Sequence, residues 1–188
     1  MRVDGVLFDI DDTLVDTRGA FAHALSDVAR RYLPDLPPER YPDLVTVWRA
    51  DVGGHYAAYT RGEVGFDEQR MTRANELHEQ FGGPVLDDDA FAVWDESFQQ
   101  AFADAWAAHP DVDAVVDKVL AAGLAVGALS NASVALQTTK LERVSLLARV
   151  PMLVGVDTSR RQAGPSGVRR GVPAAGDRSG AHGVRGDE

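Results

Sequence analysis

Residues 3–10, VDGVLFDI, form a short, largely apolar run that delivers the chain into carboxylates at Asp9, Asp11 and Asp12. Only Asp4 and Gly5 interrupt it, which suits a parallel strand covered by helices on both faces. Alternation along such a strand turns Asp9 and Asp11 the same way where it meets its loop, and ligands of open parallel sheets sit beyond that end. Two carboxylates a few ångströms apart repel by roughly 1 kcal/mol in water and several times more in a drier cleft. A proton or a cation relieves them, and Mg²⁺, which takes hard oxygen ligands, fits. The plainer alternative makes Asp11 and Asp12 turn residues or helix caps.

Beyond these acids the chain reads as helical for a long way. Thr17 is a candidate N-cap for a stripe of Phe21, Ala24, Leu25, Val28, Tyr32 and Leu33 that stops at Pro34. Further helices are expected over 44–59, over 66–81 with Gly82 and Gly83 as the stop, and over 87–108, where Asp87, Asp88 and Asp89 suit a helix start. From Val112 the pattern changes to a helix closed by Gly123, a strand over 124–129, a helix over 133–144 and a strand over 151–156. The expected fold is α/β: a doubly wound parallel sheet built from 1–15 and 107–158, with an α-helical cap, 16–106, inserted after the first strand.

Bulk properties narrow the function. A net charge of −10 argues against binding nucleic acid, which needs clustered Lys and Arg. Without cysteine the chain has no disulfide, thiolate chemistry or Cys-based zinc site. No apolar run approaches membrane-spanning length, so a cytoplasmic protein with no membrane partner is expected. The five His are too scattered for a metal pair or a Ser-His-Asp triad. Oligomeric state is not legible.

The run FDIDDTLVDT resembles the first motif of the haloacid dehalogenase-like (HAD) hydrolase superfamily, which often carries Gly where Asp12 stands. The family's second motif, a Ser or Thr commonly followed by Asn after an apolar strand, is matched by Ser130 and Asn131 in VGALSNAS. Alone, Ser130 suits an N-cap. The resemblance implies a Rossmann-like core and a phosphatase acting on a small phosphorylated substrate. Asp9 would be the nucleophile that forms an aspartyl-phosphate, and Asp11 the general acid and base. Thr13, Ser130 and Asn131 would bind the phosphoryl group, and Mg²⁺ would take the Asp9 carboxylate and the Asp11 backbone carbonyl. The insert resembles the family's cap; its aromatics Trp48, Tyr56, Tyr59, Trp94, Phe98 and Trp106 are expected in the core, because helical spacing alone explains them. A dehalogenase branch of the superfamily displaces halide with the same strand-end Asp but has no need of Asp11.

The family's third motif, Gly-Lys-Pro-Asp-Pro, and its acidic fourth motif do not appear in register after Thr158. Residues 159–188 hold 7 of the 18 Gly and 6 of the 19 Lys and Arg, with three Val as the only large aliphatics. Such a segment offsets little ordering entropy, so a disordered, non-native tail is expected. Back-translated and read one nucleotide later, the segment permits the missing third motif, which points to a shift of reading register near Thr158. Gly186, Asp187 and Glu188 resemble the start of the fourth motif, making Asp187 a possible further metal ligand. Loss of these motifs would impair catalysis or leave a non-catalytic remnant that binds a phosphorylated ligand. Lys140, the only nearby lysine, lies on the preceding helix and reads as a poor stand-in for the third-motif lysine.

Overall fold

The computed structural model describes residues 3–156. The expected tail and Asp187 lie outside the described residues. The elements run β1 (Gly5–Phe8), α1 (Thr17–Tyr32), α2 (Tyr41–Ala50), α3 (His55–Thr60), α4 (Phe66–Phe81), α5 (Asp88–Asp104), α6 (Val112–Ala121), β2 (Ala125–Ser133), α7 (Val134–Arg143) and β3 (Met152–Val156). Among the described residues no helix is long and apolar enough to cross a membrane.

The helix boundaries follow their caps. Asp16, rather than Thr17, caps α1, accepting from the Gly19 backbone N–H at 2.7 Å, and Asp87 caps α5 in the same way through Ala90. The single helix expected over 44–59 is broken, because Asp51 (φ 44°) and Gly54 (φ 69°) take left-handed conformations between α2 and α3. Asp51 stabilises that break by accepting from the N–H groups of Tyr56 and Ala57. At the end of α4, Gly82 sits at φ 81°, a conformation that costs a residue with a Cβ.

Buried apolar side chains fall into two clusters. One lies among α1, α2, α4 and α5, where Trp48, Trp94 and Phe98 stack with ring centroids 5.6–6.4 Å apart and Phe21 meets Phe98 edge-on at 5.1 Å. Arg70 lies over Phe98 at 4.7 Å and is held by Asp95, while Arg73 lies over Trp48 at 4.3 Å. Both guanidinium groups are therefore buried with partners rather than stranded. Of the expected core aromatics, Tyr56 and Tyr59 depart: Tyr56 stands 50 % exposed at the start of α3, and the half-buried Tyr59 meets Tyr56 and Phe66 outside both clusters.

The second cluster joins the sheet to α6 and α7, with Ile10, Val126 and Ala128 packed on Val116 and Leu141. Order β1-β2-β3 is parallel throughout, with Phe8 opposite Ala128 and Leu129 opposite Val154. Successive right-handed crossovers in one direction put α6 and α7 on one face of the sheet. The other face, carrying Leu7 (56 % exposed), Leu129 (51 %) and Val154 (46 %), is open among the described residues. Among the described residues, helices cover one side of β1. Between the clusters, the chain leaving the sheet and the chain returning to it pair antiparallel: Val15 bridges Ala108, Asp16 donates to Ala107, and His109 donates to Leu14.

Candidate active site

The parallel register aligns two chain exits. Asp9 follows Phe8 directly, and Ser130 and Asn131 follow just beyond its partner Ala128, so both segments emerge at the carboxyl edge of the sheet. Asp9 is exposed, and among the described residues nothing donates to its carboxylate.

The two acids do not share one face of a strand. Pairing stops at Phe8, and Asp11 lies in a turn closed by Val15 N–H to the Ile10 carbonyl at 2.9 Å and Asp12 N–H to the Val15 carbonyl at 2.8 Å. Once the chain leaves the pleat, the alternation that would align the two side chains no longer applies. Asp12 takes φ 59°, which accounts for the glycine common in related motifs; the short polar side chain of Asp tolerates this conformation. Its carboxylate accepts from the Arg18 N–H at 2.7 Å and pairs with the Arg18 guanidinium at 3.3 Å.

Asp11 is the best-held group in the site. Lys140 Nζ lies 2.5 Å from its Oδ1, Thr17 Oγ1 donates to the same oxygen at 2.8 Å, and Gln137 Nε2 donates to Oδ2 at 2.8 Å. Burial pushes its pKa up, but the Lys140, Thr17 and Gln137 contacts outweigh it and hold the carboxyl below the ordinary Asp range. Lys140 is itself 2 % exposed, its stem buried and its ammonium 5.5 Å from the Trp106 ring.

Gln137 joins the two motifs. Its Nε2 also reaches Ser130 Oγ at 2.9 Å, and that hydroxyl accepts a second bond from the Ala132 N–H at 3.1 Å. With its acceptor sites used, the Ser130 hydroxyl keeps its proton free to donate. The N-cap of α7 is Ser133, not Ser130. Asn131 and Thr13 are exposed beside this network.

The sequence pointed to Asp9, Asp11 and Ser130 as candidates but did not indicate Thr17, Gln137 and Lys140 as partners of Asp11 and Ser130. The available signal was the i, i+3 spacing of Gln137 and Lys140, which places both on one face of α7. Lys140 thus joins this network, paired with Asp11.

Among the described residues no group of three or more His, Asp or Glu could hold a metal. Two hard oxygen donors do suit Mg²⁺: the Asp9 carboxylate and the Asp11 backbone carbonyl, to which no described backbone N–H donates. Mg²⁺ commonly keeps several waters and one or two carboxylates, so the residues present fit such an ion.

A protein-family model described as haloacid dehalogenase-like hydrolase matches residues 3–169. No curated protein matches the sequence. Among solved structures, magnesium-bound YfnB from Bacillus subtilis, described as a HAD-hydrolase, matches with TM-score 0.62 at 18% identity over 82% of this chain and 64% of that one. An L-2-haloacid dehalogenase from Xanthobacter autotrophicus matches with TM-score 0.55 at 18% identity, over 85% of this chain and 59% of that one. A structure from Haemophilus somnus described as a predicted phosphoglycolate phosphatase matches with TM-score 0.53 at 17% identity, over 88% of this chain and 66% of that one. The chain therefore spans less than two thirds of the length of these structures, and at such identities the likeness speaks to fold.

Proposed function

The chain belongs to the haloacid dehalogenase-like hydrolase family, and on that premise we propose that it is a phosphatase that uses Mg²⁺ to cleave a small phosphomonoester. The observation that carries this reading is the Gln137 side chain, whose Nε2 binds both Asp11 and Ser130 and so fixes the two motif segments to one another.

In this mechanism an Asp9 carboxylate oxygen attacks phosphorus, forming an aspartyl-phosphate as the ester oxygen departs. Asp9 is exposed and takes no hydrogen bond from the described residues, as a nucleophile awaiting its substrate would. Asp11 protonates the leaving oxygen and later accepts a proton from the water that opens the intermediate. Held as a carboxylate by Lys140, it suits the second duty; for the first it must take up a proton as that contact loosens. The Ser130 hydroxyl donates to a phosphoryl oxygen, with Thr13 and Asn131 as further phosphate ligands. The Asp9 carboxylate and the Asp11 carbonyl would hold Mg²⁺, which when bound would supply charge neutralisation at the phosphoryl group. The helices of 16–106 act as the cap over a core of 1–15 and 107–158, and the paired segments around Val15 and Ala108 are the natural hinge.

Turnover of p-nitrophenyl phosphate with Mg²⁺, measured beside Asp9→Asn, tests this. Activity in the wild type that falls at least about a thousand-fold in the variant supports it. A second reading, a non-catalytic remnant that binds a phosphorylated ligand, is favoured by the Lys140 grip on Asp11 and predicts no turnover in either protein. Halide release from a 2-haloacid without Mg²⁺ would instead mark a dehalogenase.

A further inference from the structure

Helix α7 buries three side chains, Gln137, Lys140 and Leu141, and two of the three are polar. A helix that only covers a sheet gains by burying apolar groups, and lysine is almost never fully buried without a partner. Here both polar side chains go to one carboxylate. Lys140 Nζ and Thr17 Oγ1 meet Asp11 Oδ1, and Gln137 Nε2 meets Oδ2.

A carboxylate oxygen has two acceptor sites. Both are filled at Oδ1, by an ammonium and a hydroxyl, whereas Oδ2 takes one donor among the described residues and keeps one site open. Gln137 is fixed from its other side as well, since Nε2 also donates to Ser130 Oγ, and its Oε1 is buried with no partner among the described residues. Turning the amide over would set that oxygen against the Asp11 carboxylate, so the side chain has one direction only. Lys140 is equally confined, 2 % exposed with its ammonium 5.5 Å from the Trp106 ring and 6.0 Å from the Phe102 ring.

We propose that Lys140 and Gln137 are positioning residues that act through Asp11, fixing its carboxyl so that Oδ2 is the oxygen that exchanges a proton with the substrate. The inference rests on the phosphatase reading and goes beyond it by assigning that atom and two residues outside both matched motifs. In the first step the Oδ2–H bond breaks and its proton goes to the ester oxygen. That oxygen takes the electron pair of the breaking P–O bond while an Asp9 oxygen bonds to phosphorus. In the second step Oδ2 takes a proton from the water whose oxygen attacks the aspartyl-phosphate.

The test compares the full chain in Mg²⁺ with Lys140→Met and Gln137→Leu on two probes, p-nitrophenyl phosphate and phenyl phosphate. p-Nitrophenolate is stable enough to depart unprotonated, whereas the more basic phenolate is helped by a proton, so kcat/KM for phenyl phosphate reports on the acid. The expected result in each variant is a fall for both probes that is at least about fivefold larger for phenyl phosphate. Lys140→Arg, which keeps a charged donor for Oδ1, should recover part of that difference, which a merely structural role would not predict. Circular dichroism checks that each variant folds, and either one alone decides. Equal falls for the two probes, or no fall, would overturn the inference and leave the phosphatase reading in place. Wild-type turnover that is absent, or indifferent to Asp9→Asn, removes that reading and the inference with it.

Discussion

The helical insert and the sheet solve the burial problem in different ways. In the insert, each helix carries its own apolar stripe, and α1, α2, α4 and α5 close those stripes around Trp48, Trp94 and Phe98. The three-stranded sheet covers one face with α6 and α7 and leaves Leu7, Leu129 and Val154 open among the described residues. A helix bundle completes its core from local pattern, whereas a parallel sheet depends on further crossovers to cover its second face. The insert is therefore the better-buried region, and the sheet, which holds the proposed chemistry, is the more exposed one.

The largest break in this comparison should come from Trp94→Ala. The residue is fully buried and stacks on Trp48, Phe91 and Phe98, so about 3–5 kcal/mol of stability should be lost, seen as a large drop in thermal midpoint. A loss below about 1 kcal/mol would mean the insert is not the well-packed half.

Lys140→Met should cost less, about 1–2 kcal/mol, because Asp11 keeps a third of its side-chain surface in water and two other donors. A pH series sharpens this. Since the folded pKa of Asp11 lies below its ordinary value of 3.8, its contribution is present above 3.8 and is lost as pH falls through the folded value. Removing the ammonium should shrink that acid-side loss, and an unchanged acid limb of the stability profile would show that the contact carries no weight in solution.

The smallest effect is expected from Leu129→Lys on the open face. At 51 % exposure the change should move stability by no more than about 0.5 kcal/mol while lowering the tendency to aggregate, measured by light scattering during concentration. A loss beyond about 2 kcal/mol would show that this face is covered in solution, and the contrast between the two regions would fall.

Much of this architecture was legible because it is written in local periodicity. The helix over 66–81, the stop at Gly82, the strand over 151–156 and the change of rhythm at Val112 each follow from spacing and turn chemistry within a short window. The split of 44–59 into two helices was missed because Asp51 adopts φ 44°, which a helical stripe of apolar residues does not reveal. What covers each face of β1 is not legible in the strand, because an apolar strand records its capacity for burial, not which segment receives it.

The site divides along the same line. The sequence by itself placed Asp9 and Asp11 at a strand end and Ser130 just past the expected end of a second strand, since motif and strand are neighbours in the chain; that strand runs on through Ser130 to Ser133. Only the tertiary structure decided that α7 turns Gln137 and Lys140 onto Asp11. Those contacts join segments far apart in sequence, and their partners are chosen by how the layers pack, a quantity that no local window of residues contains.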